Sequence, residues 1–157
     1  MLIEDLDQIE LFQGMTLSQL ELLRPLFIDF ECYEGTVLFG QGELADFIYL
    51  VVSGEAVIQY KPEDGPAITV ARVRPGGLVG WSALIGRRVY TSAVVCAVDS
   101  RFLRVRGADL QKLCEDHPET GGLLLERLAN VVAERLRKTH PQVLSLLENG
   151  LRNGVNC

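Results

Sequence analysis

The sequence is short of the residues that most often announce chemistry, with one tryptophan, two histidines and four cysteines in 157 positions. Each shortage excludes a class. Cys32, Cys96, Cys114 and Cys157 form no C-x-x-C pair, so their spacing fits neither a structural zinc site nor an iron–sulfur ligand set. Reduced thiols are expected, the first three buried as small apolar residues. Long apolar runs are missing too. A stretch such as residues 47–52 makes a strand, whereas a membrane-spanning helix takes about 20 apolar residues. No membrane partner is expected. Met1-Leu2-Ile3-Glu4-Asp5 offers no basic segment followed by an apolar one, so no secretory leader is expected and the cytoplasm is the expected location. Positive charge is scarce as well: 15 Lys and Arg stand against 21 Asp and Glu, a net charge of -6. DNA binding draws on a basic face that neutralises phosphates, so no DNA partner is expected.

What is present is an ordinary apolar supply, 48% hydrophobic against 23% charged residues. That supports one globular domain over residues 1–157, large enough to bury a core without staples. Thr16-Leu17-Ser18-Gln19 fits a capping box, in which the threonine hydroxyl takes an orphan amide and the glutamine reaches back. Leu17, Leu20, Leu22, Leu23 and Leu26 follow at helical spacing. After Pro25 the period changes. Residues 27–33 and 36–39 flank Glu34-Gly35, and residues 47–52 and 55–60 flank Ser53-Gly54, a two-residue connection of the tight-hairpin kind. Residues 67–73 come next, then the Pro75-Gly76-Gly77 turn, and residues 93–98 and 100–105 read as a last pair. Seven or eight short strands over residues 27–106 imply an antiparallel sandwich or barrel.

From Gly107 to about residue 149 the period is helical again. Leu110, Leu113 and Cys114 form a short apolar face, and Pro118 suits the first turn of a long helix running to about Thr139. Its stripe is Leu125, Leu128, Ala129, Val132 and Leu136, widened by Leu123, Leu124 and Val131. An apolar surface so wide calls for two coverings, the domain itself and a partner chain, so a homodimer through Leu125, Leu128, Val132 and Leu136 is expected. Pro141 interrupts the helix, and a second helical piece ends at Asn149-Gly150.

A short N-terminal helix, a β-roll and closing helices, in that order, resemble the cyclic-nucleotide-binding domain family. Leu11-Phe12-Gln13-Gly14, Tyr33-Glu34-Gly35-Thr36 and Ile48-Tyr49-Leu50-Val51-Val52-Ser53-Gly54 look like the family's N-terminal half. The resemblance implies a jelly-roll-like antiparallel β-roll with flanking helices and a regulatory role in signal transduction. Its functional centre would be a phosphate-binding cassette, a short helix between two strands that offers amides to a cyclic phosphate. In the family a glutamate takes the ribose hydroxyl and an arginine pairs with the phosphate. The matching stretch here runs over residues 78–93. Gly80, Ala83 and Leu84 fit, but Trp81 stands at the glutamate position and Thr91, or Val89 in a shifted loop, at the arginine position. Losing two charge-assisted hydrogen bonds weakens binding by about two to four orders of magnitude.

The ligand-contact set implied by the resemblance is Gly80, Trp81, Ser82, Ala83, Arg87, Arg88, Thr91 and Ser92. Trp81 could stack on a flat ligand or fill the pocket. Arg87-Arg88 could bind an anion, though two loop arginines more often form a solvated corner, and Ser82 reads better as a helix cap than as an anion donor. Arg101, Arg104 and Arg106 read as surface charges. His117 and His140 fall at helix ends outside the roll, which excludes the histidine set of a metal-binding cupin, so no metal is expected. No nucleophile–base or paired-carboxylate arrangement follows from spacing, so no catalytic residue is assigned and no enzyme is expected. The leading expectation is a ligand-sensing module for cAMP, cGMP or another small anionic or aromatic ligand. The alternative is a dimeric adaptor with a vestigial pocket and a protein partner. Direct operator binding is not expected, because only residues 141–150 are left for a reading head.

Overall fold

The computed structural model describes residues 3–83 and 88–138. Arg87, the side chain of Leu136, Cys157, and the helical piece expected after Pro141 lie outside them. Two 3-10 turns open the chain, Ile3–Gln8 and Glu10–Phe12. They lead to α1 (Leu17–Leu23), whose N-terminus carries the full capping box. The Gln19 amide donates to Thr16 Oγ1 at 3.1 Å, and the Thr16 amide donates to Gln19 Oε1 at 2.9 Å. Only Leu23 of this helix is buried, and Leu17, expected on its apolar face, is 69% exposed at the first helical position.

Eight strands follow: β1 (Phe27–Cys32), β2 (Val37–Phe39), β3 (Phe47–Ser53), β4 (Ala56–Tyr60), β5 (Ile68–Val73), β6 (Leu78–Val79), β7 (Ala93–Cys96) and β8 (Ser100–Arg106). They form two four-stranded antiparallel sheets, ordered β1-β8-β3-β6 and β2-β7-β4-β5. The pairing is nested, β1 with β8, β2 with β7, β3 with β6 and β4 with β5, like one long hairpin rolled on itself. That is a jelly roll.

The nesting corrects two expectations. Strands β3 and β4 are not a hairpin, and β7 and β8 are not a pair, because each couple is split between the two sheets. The Ser53-Gly54 connection is a corner between layers. Gly54 has φ +92°, and a Cβ there would lie 2.2 Å from Ser100 Oγ and 2.8 Å from the Asp99 carbonyl. Only glycine turns this corner against β8. Two-residue spacing marks a sharp reversal, but partner strands are chosen by the roll as a whole.

Alternation along the central strands makes the first sheet two-faced. Ile48 and Leu50 of β3, with Leu103 and Val105 of β8, point towards the helices and join Phe12, Leu23 and Phe27. Tyr49 and Val51 of β3 and Phe102 of β8 point into the roll and meet Phe39, Val94 and Cys96. The helix-side core is closed by α2 (Gly107–Asp116) and α3 (Pro118–Lys138). Leu110 and Leu113 of α2, and Leu124, Leu128 and Val132 of α3, are buried in it. Each fully buried leucine contributes about 1.5–3 kcal/mol.

This packing changes the reading of α3. Leu128 and Val132, expected at a dimer seam, belong to the domain's own core, and Leu123, Leu125 and Val131 lean on the same core half-buried. Ala129 is exposed. One domain therefore covers most of the girth that had called for a partner. Of the thiols, Cys32 and Cys96 are buried as expected, while Cys114 is half-buried.

Candidate functional site: the cassette and its supports

The cassette begins where β6 ends. Gly80 has φ +80°, and a Cβ there would lie 2.9 Å from the Phe47 carbonyl and 3.3 Å from both the Phe39 and Tyr90 rings. Both the left-handed backbone and the close approach require glycine. A single 3-10 turn, Trp81–Ala83, follows, closed by the Ala83 amide on the Gly80 carbonyl at 3.3 Å. Trp81 and Ala83 are half-buried against the helix-side core, not inside the roll. Ser82 is half-buried beside them.

Beyond the undescribed residues 84–87 the chain re-enters as an irregular ladder against residues 42–45. Leu44 bridges Val89, the Ala45 amide donates to the Arg88 carbonyl at 2.8 Å, and the Tyr90 amide donates to the Glu43 carbonyl at 2.9 Å. Arg88 and Thr91 are exposed and Ser92 is half-buried. Tyr90 is the residue the sequence reading missed. It is 4% exposed, and its ring stacks on Phe39 with centroids 3.7 Å apart. Its hydroxyl donates to the Phe47 carbonyl at 2.6 Å and accepts from the Phe47 amide at 3.1 Å. Burial pushes the phenol up to about 12, against the opposing pull of the Phe47 hydrogen bond. Parity was the available signal, because Tyr90 lies an even number of residues from Val94 and Cys96, which also point inward.

The roll interior around Tyr90 is aromatic and already furnished. Tyr49 lies 5.8 Å from Phe39 and 6.0 Å from Phe102, centroid to centroid. Arg104, expected at the surface, is half-buried on the inner face of β8. Its guanidinium sits 4.6 Å from the Phe30 centroid and 4.4 Å from that of Phe47, a cation–π arrangement on two rings. The pairs Ile28 with Arg104 and Tyr49 with Arg104 in the sheet register bring β1 and β3 around it. Burial raises the Tyr49 phenol, offset by its hydrogen bond to Arg104. Cys96 also lies inside the roll, where burial and the adjacent Cys32 thiol raise it to about 12, so it is a neutral thiol.

Two contacts tie the cassette to the closing helices. A Cβ on Gly107, the first residue of α2, would lie 3.0 Å from the Ala83 carbonyl. Arg135 of α3 donates from Nη1 to the carbonyl of Leu78 in β6, two residues before Gly80. Burial lowers this guanidinium to about 10. Cassette and α3 therefore share a strand. Among the described residues no group of His, Cys, Asp and Glu could hold a metal ion, and no helix is long and apolar enough to cross a membrane.

This geometry agrees with the family comparison, in which the model of the cyclic nucleotide-binding domain matches residues 30–117, more than half of the chain. The chain belongs to the cyclic nucleotide-binding domain family. It is similar to a CRP-like cAMP-activated global transcriptional regulator of Mycobacterium tuberculosis, 25% identical over 137 residues, covering 87% of this chain and 59% of that protein. It is also similar to the cyclic AMP receptor protein of Thermus thermophilus, 28% identical over 145 residues, covering 92% of this chain and 65% of the relative. Among solved structures, the cAMP-binding acyltransferase of Mycobacterium smegmatis superposes with a TM-score of 0.71 at 26% identity, covering 86% of this chain and 40% of that one. The chain spans about three-fifths of the length of the curated relatives it matches. As a cyclic nucleotide-binding domain it is of the regulatory type, built on the family's β-roll.

Proposed function

We propose that this domain is a ligand-sensing regulatory module, not an enzyme, whose recognition of cyclic AMP is weak. The observation that carries the reading is the cassette's chemistry. Trp81, at the position where the resemblance puts a ribose-binding glutamate, has no acceptor and leans on the helix-side core. Thr91, or Val89 in a shifted loop, at the position where the resemblance puts an arginine, is neutral and exposed. Ligand binding at the cassette would be transmitted to α3 through β6, since Arg135 holds the Leu78 carbonyl; a ligand acts by favouring one arrangement of that contact over another. Restoring the family's side chains tests this. Trp81→Glu with Thr91→Arg, titrated with cyclic AMP by calorimetry, is expected to gain about 100-fold or more in affinity. Low-micromolar binding by the unmodified chain would sink the proposal.

Homodimerisation through α3 remains part of the reading, with a changed surface. Its basis is the outward side of the helix, where Ala129 is exposed, Leu125 is half-buried, and a Cβ on Gly122 would meet nothing within 4 Å. Small side chains let a second helix approach closely. Light scattering at tens of micromolar decides it: a dimer is expected, and a monomer there removes the dimer from the proposal. The reading places the module in the cytoplasm, with neither DNA nor membrane as its own partner.

A further inference from the structure

Two thiols meet where the roll turns from one sheet to the other. Cys32 is the last residue of β1, and Cys96 is the last residue of β7 in the opposite sheet. We propose that Cys32 and Cys96 are an oxidative modification site, closed by a peroxide into a reversible disulfide that staples the two sheets. Such a staple needs no ligand at the cassette, so it stands apart from the reading above.

The strand registers bring the two residues to one corner. Cys32 stands opposite Ser100 in the β1–β8 ladder, and Cys96 stands opposite Ala56 in the β4–β7 ladder. Ser100 Oγ accepts from the amide of Glu55, the residue before Ala56, at 3.1 Å, and so draws the two ladders together. Both cysteines lie in the same buried cluster, 5% and 1% exposed. Their side chains share a hydrogen bond. From that contact the sulfurs have only to close to about 2.05 Å to bond.

One thin cover hides both thiols. Residues 33–36, the turn between β1 and β2, are all exposed. The Glu34 amide donates to Asp99 Oδ1 at 2.8 Å, the Gly35 amide to the Cys96 carbonyl at 2.8 Å, and the Cys96 amide to the Thr36 carbonyl at 2.9 Å. Two of these bonds are made to Cys96 itself, and the turn starts directly after Cys32. Lifting it therefore uncovers the pair in one step. An exposed turn held by few bonds opens far more often than the whole domain unfolds, and β1 lies at the edge of its sheet.

The two thiols take different parts. Cys32 borders the turn, so a peroxide meets it first. Burial and the Cys32 neighbour raise Cys96 to about 12, so Cys96 keeps its proton. The Cys32 thiolate attacks one peroxide oxygen, the O–O bond breaks, and the leaving hydroxide takes a proton to become water. Cys32 is thereby oxidised to its sulfenic acid. The Cys96 sulfur then attacks the Cys32 sulfur, the S–O bond breaks, and the departing hydroxide leaves as a second water with the Cys96 proton. Two thiols and one peroxide give one disulfide and two waters. Because β7 begins two residues after Thr91, the staple gives the module a redox input on the strand that leaves the cassette.

Hydrogen peroxide treatment of the reduced full chain tests the proposal, with Cys114→Ser and Cys157→Ser leaving this pair alone. A tryptic map is expected to show one peptide joining residues 32 and 96, lost on adding dithiothreitol. The thermal midpoint of the oxidised form is expected to rise by about 5–10 °C. Cys96→Ala is expected to stop at a sulfenic acid on Cys32, trapped by dimedone. Asp99→Ala, which frees the turn without touching either thiol, is expected to speed the oxidation about threefold or more. If a cysteine variant fails to fold, the peptide map of the unmodified chain reads the same cross-link. Thiols that survive excess peroxide in the folded chain overturn the proposal, as does a disulfide that forms only in urea. A sulfenic acid trapped on Cys96 overturns the assignment of parts, and an unchanged rate in Asp99→Ala overturns the turn as the cover. A midpoint that falls on oxidation overturns the staple.

Discussion

The two faces of the β1-β8-β3-β6 sheet carry different chemistry. Towards the helices the buried residues are mostly leucines, from Leu6 and Leu11 through Leu124 and Leu128. Towards the second sheet they are aromatic rings, valines, two thiols and, at the edge, a stacked arginine. The leucine side is held by non-directional burial. The roll side adds directed contacts, such as the Tyr90 hydroxyl on the Phe47 backbone and the Arg104 guanidinium between two rings. The cassette sits on the border. A Cβ on Gly80 would press on Phe39 and Tyr90 inside the roll, while the next residue, Trp81, leans on the leucine side. One step of the chain therefore couples both cores, so a ligand that shifts the cassette disturbs the helices as well as the roll.

The largest expected effect separates the two sides. Phe102→Ala removes a fully buried ring from the roll and should cost about 3–5 kcal/mol, whereas Leu128→Ala should cost about 2–5 kcal/mol. If the cores are coupled, urea unfolding of each variant remains a single transition with an unchanged slope. A two-step transition in Leu128→Ala, with the helices leaving first, would break the comparison in favour of independent cores. Gly80→Ala comes next, at about 2–4 kcal/mol, from a left-handed backbone and a Cβ forced onto a carbonyl. Amide exchange should rise in both the roll and α3 in this variant; a rise confined to one side would refute the border role. The smallest effect is Tyr90→Phe, about 1–3 kcal/mol at neutral pH, because the Phe47 amide and carbonyl lose their partner.

This last variant also carries a pH signature. The Tyr90 phenol ionises near 10 in the unfolded chain and at about 12 in the folded one. Above pH 10 the unfolded state releases its proton while the native state keeps it. The associated stability is therefore full below pH 10 and is lost as pH rises through 12, on the order of 2–3 kcal/mol. Tyr90→Phe should flatten that slope in urea titrations, and an unchanged slope would place the titration elsewhere.

Much of this was legible locally. The Thr16–Gln19 capping box and the strand positions were readable from residue type and spacing. They depend on neighbours a few positions away or on a short motif. What misled was anything set by distant neighbours. Arg104 read as a surface charge because charge is usually exposed, yet Phe30 and Phe47 arrive from β1 and β3 to cover it. The width of the α3 stripe called for a covering by the domain and another by a partner, and only the packed core shows that Leu124, Leu128 and Val132 turn to the domain.

By itself the sequence determined that short strands would form, where they would turn, and which family they resemble. Those follow from the two-residue alternation, turn chemistry and a motif contained in a few residues. Tertiary structure alone decided that β3 and β4 part into different sheets, that Tyr90 closes onto Phe47, and that the Cys32 and Cys96 thiols meet inside the roll. Local periodicity says which way a side chain alternates, but which strand or helix it meets is fixed only when the nested register brings residues dozens of positions apart into contact.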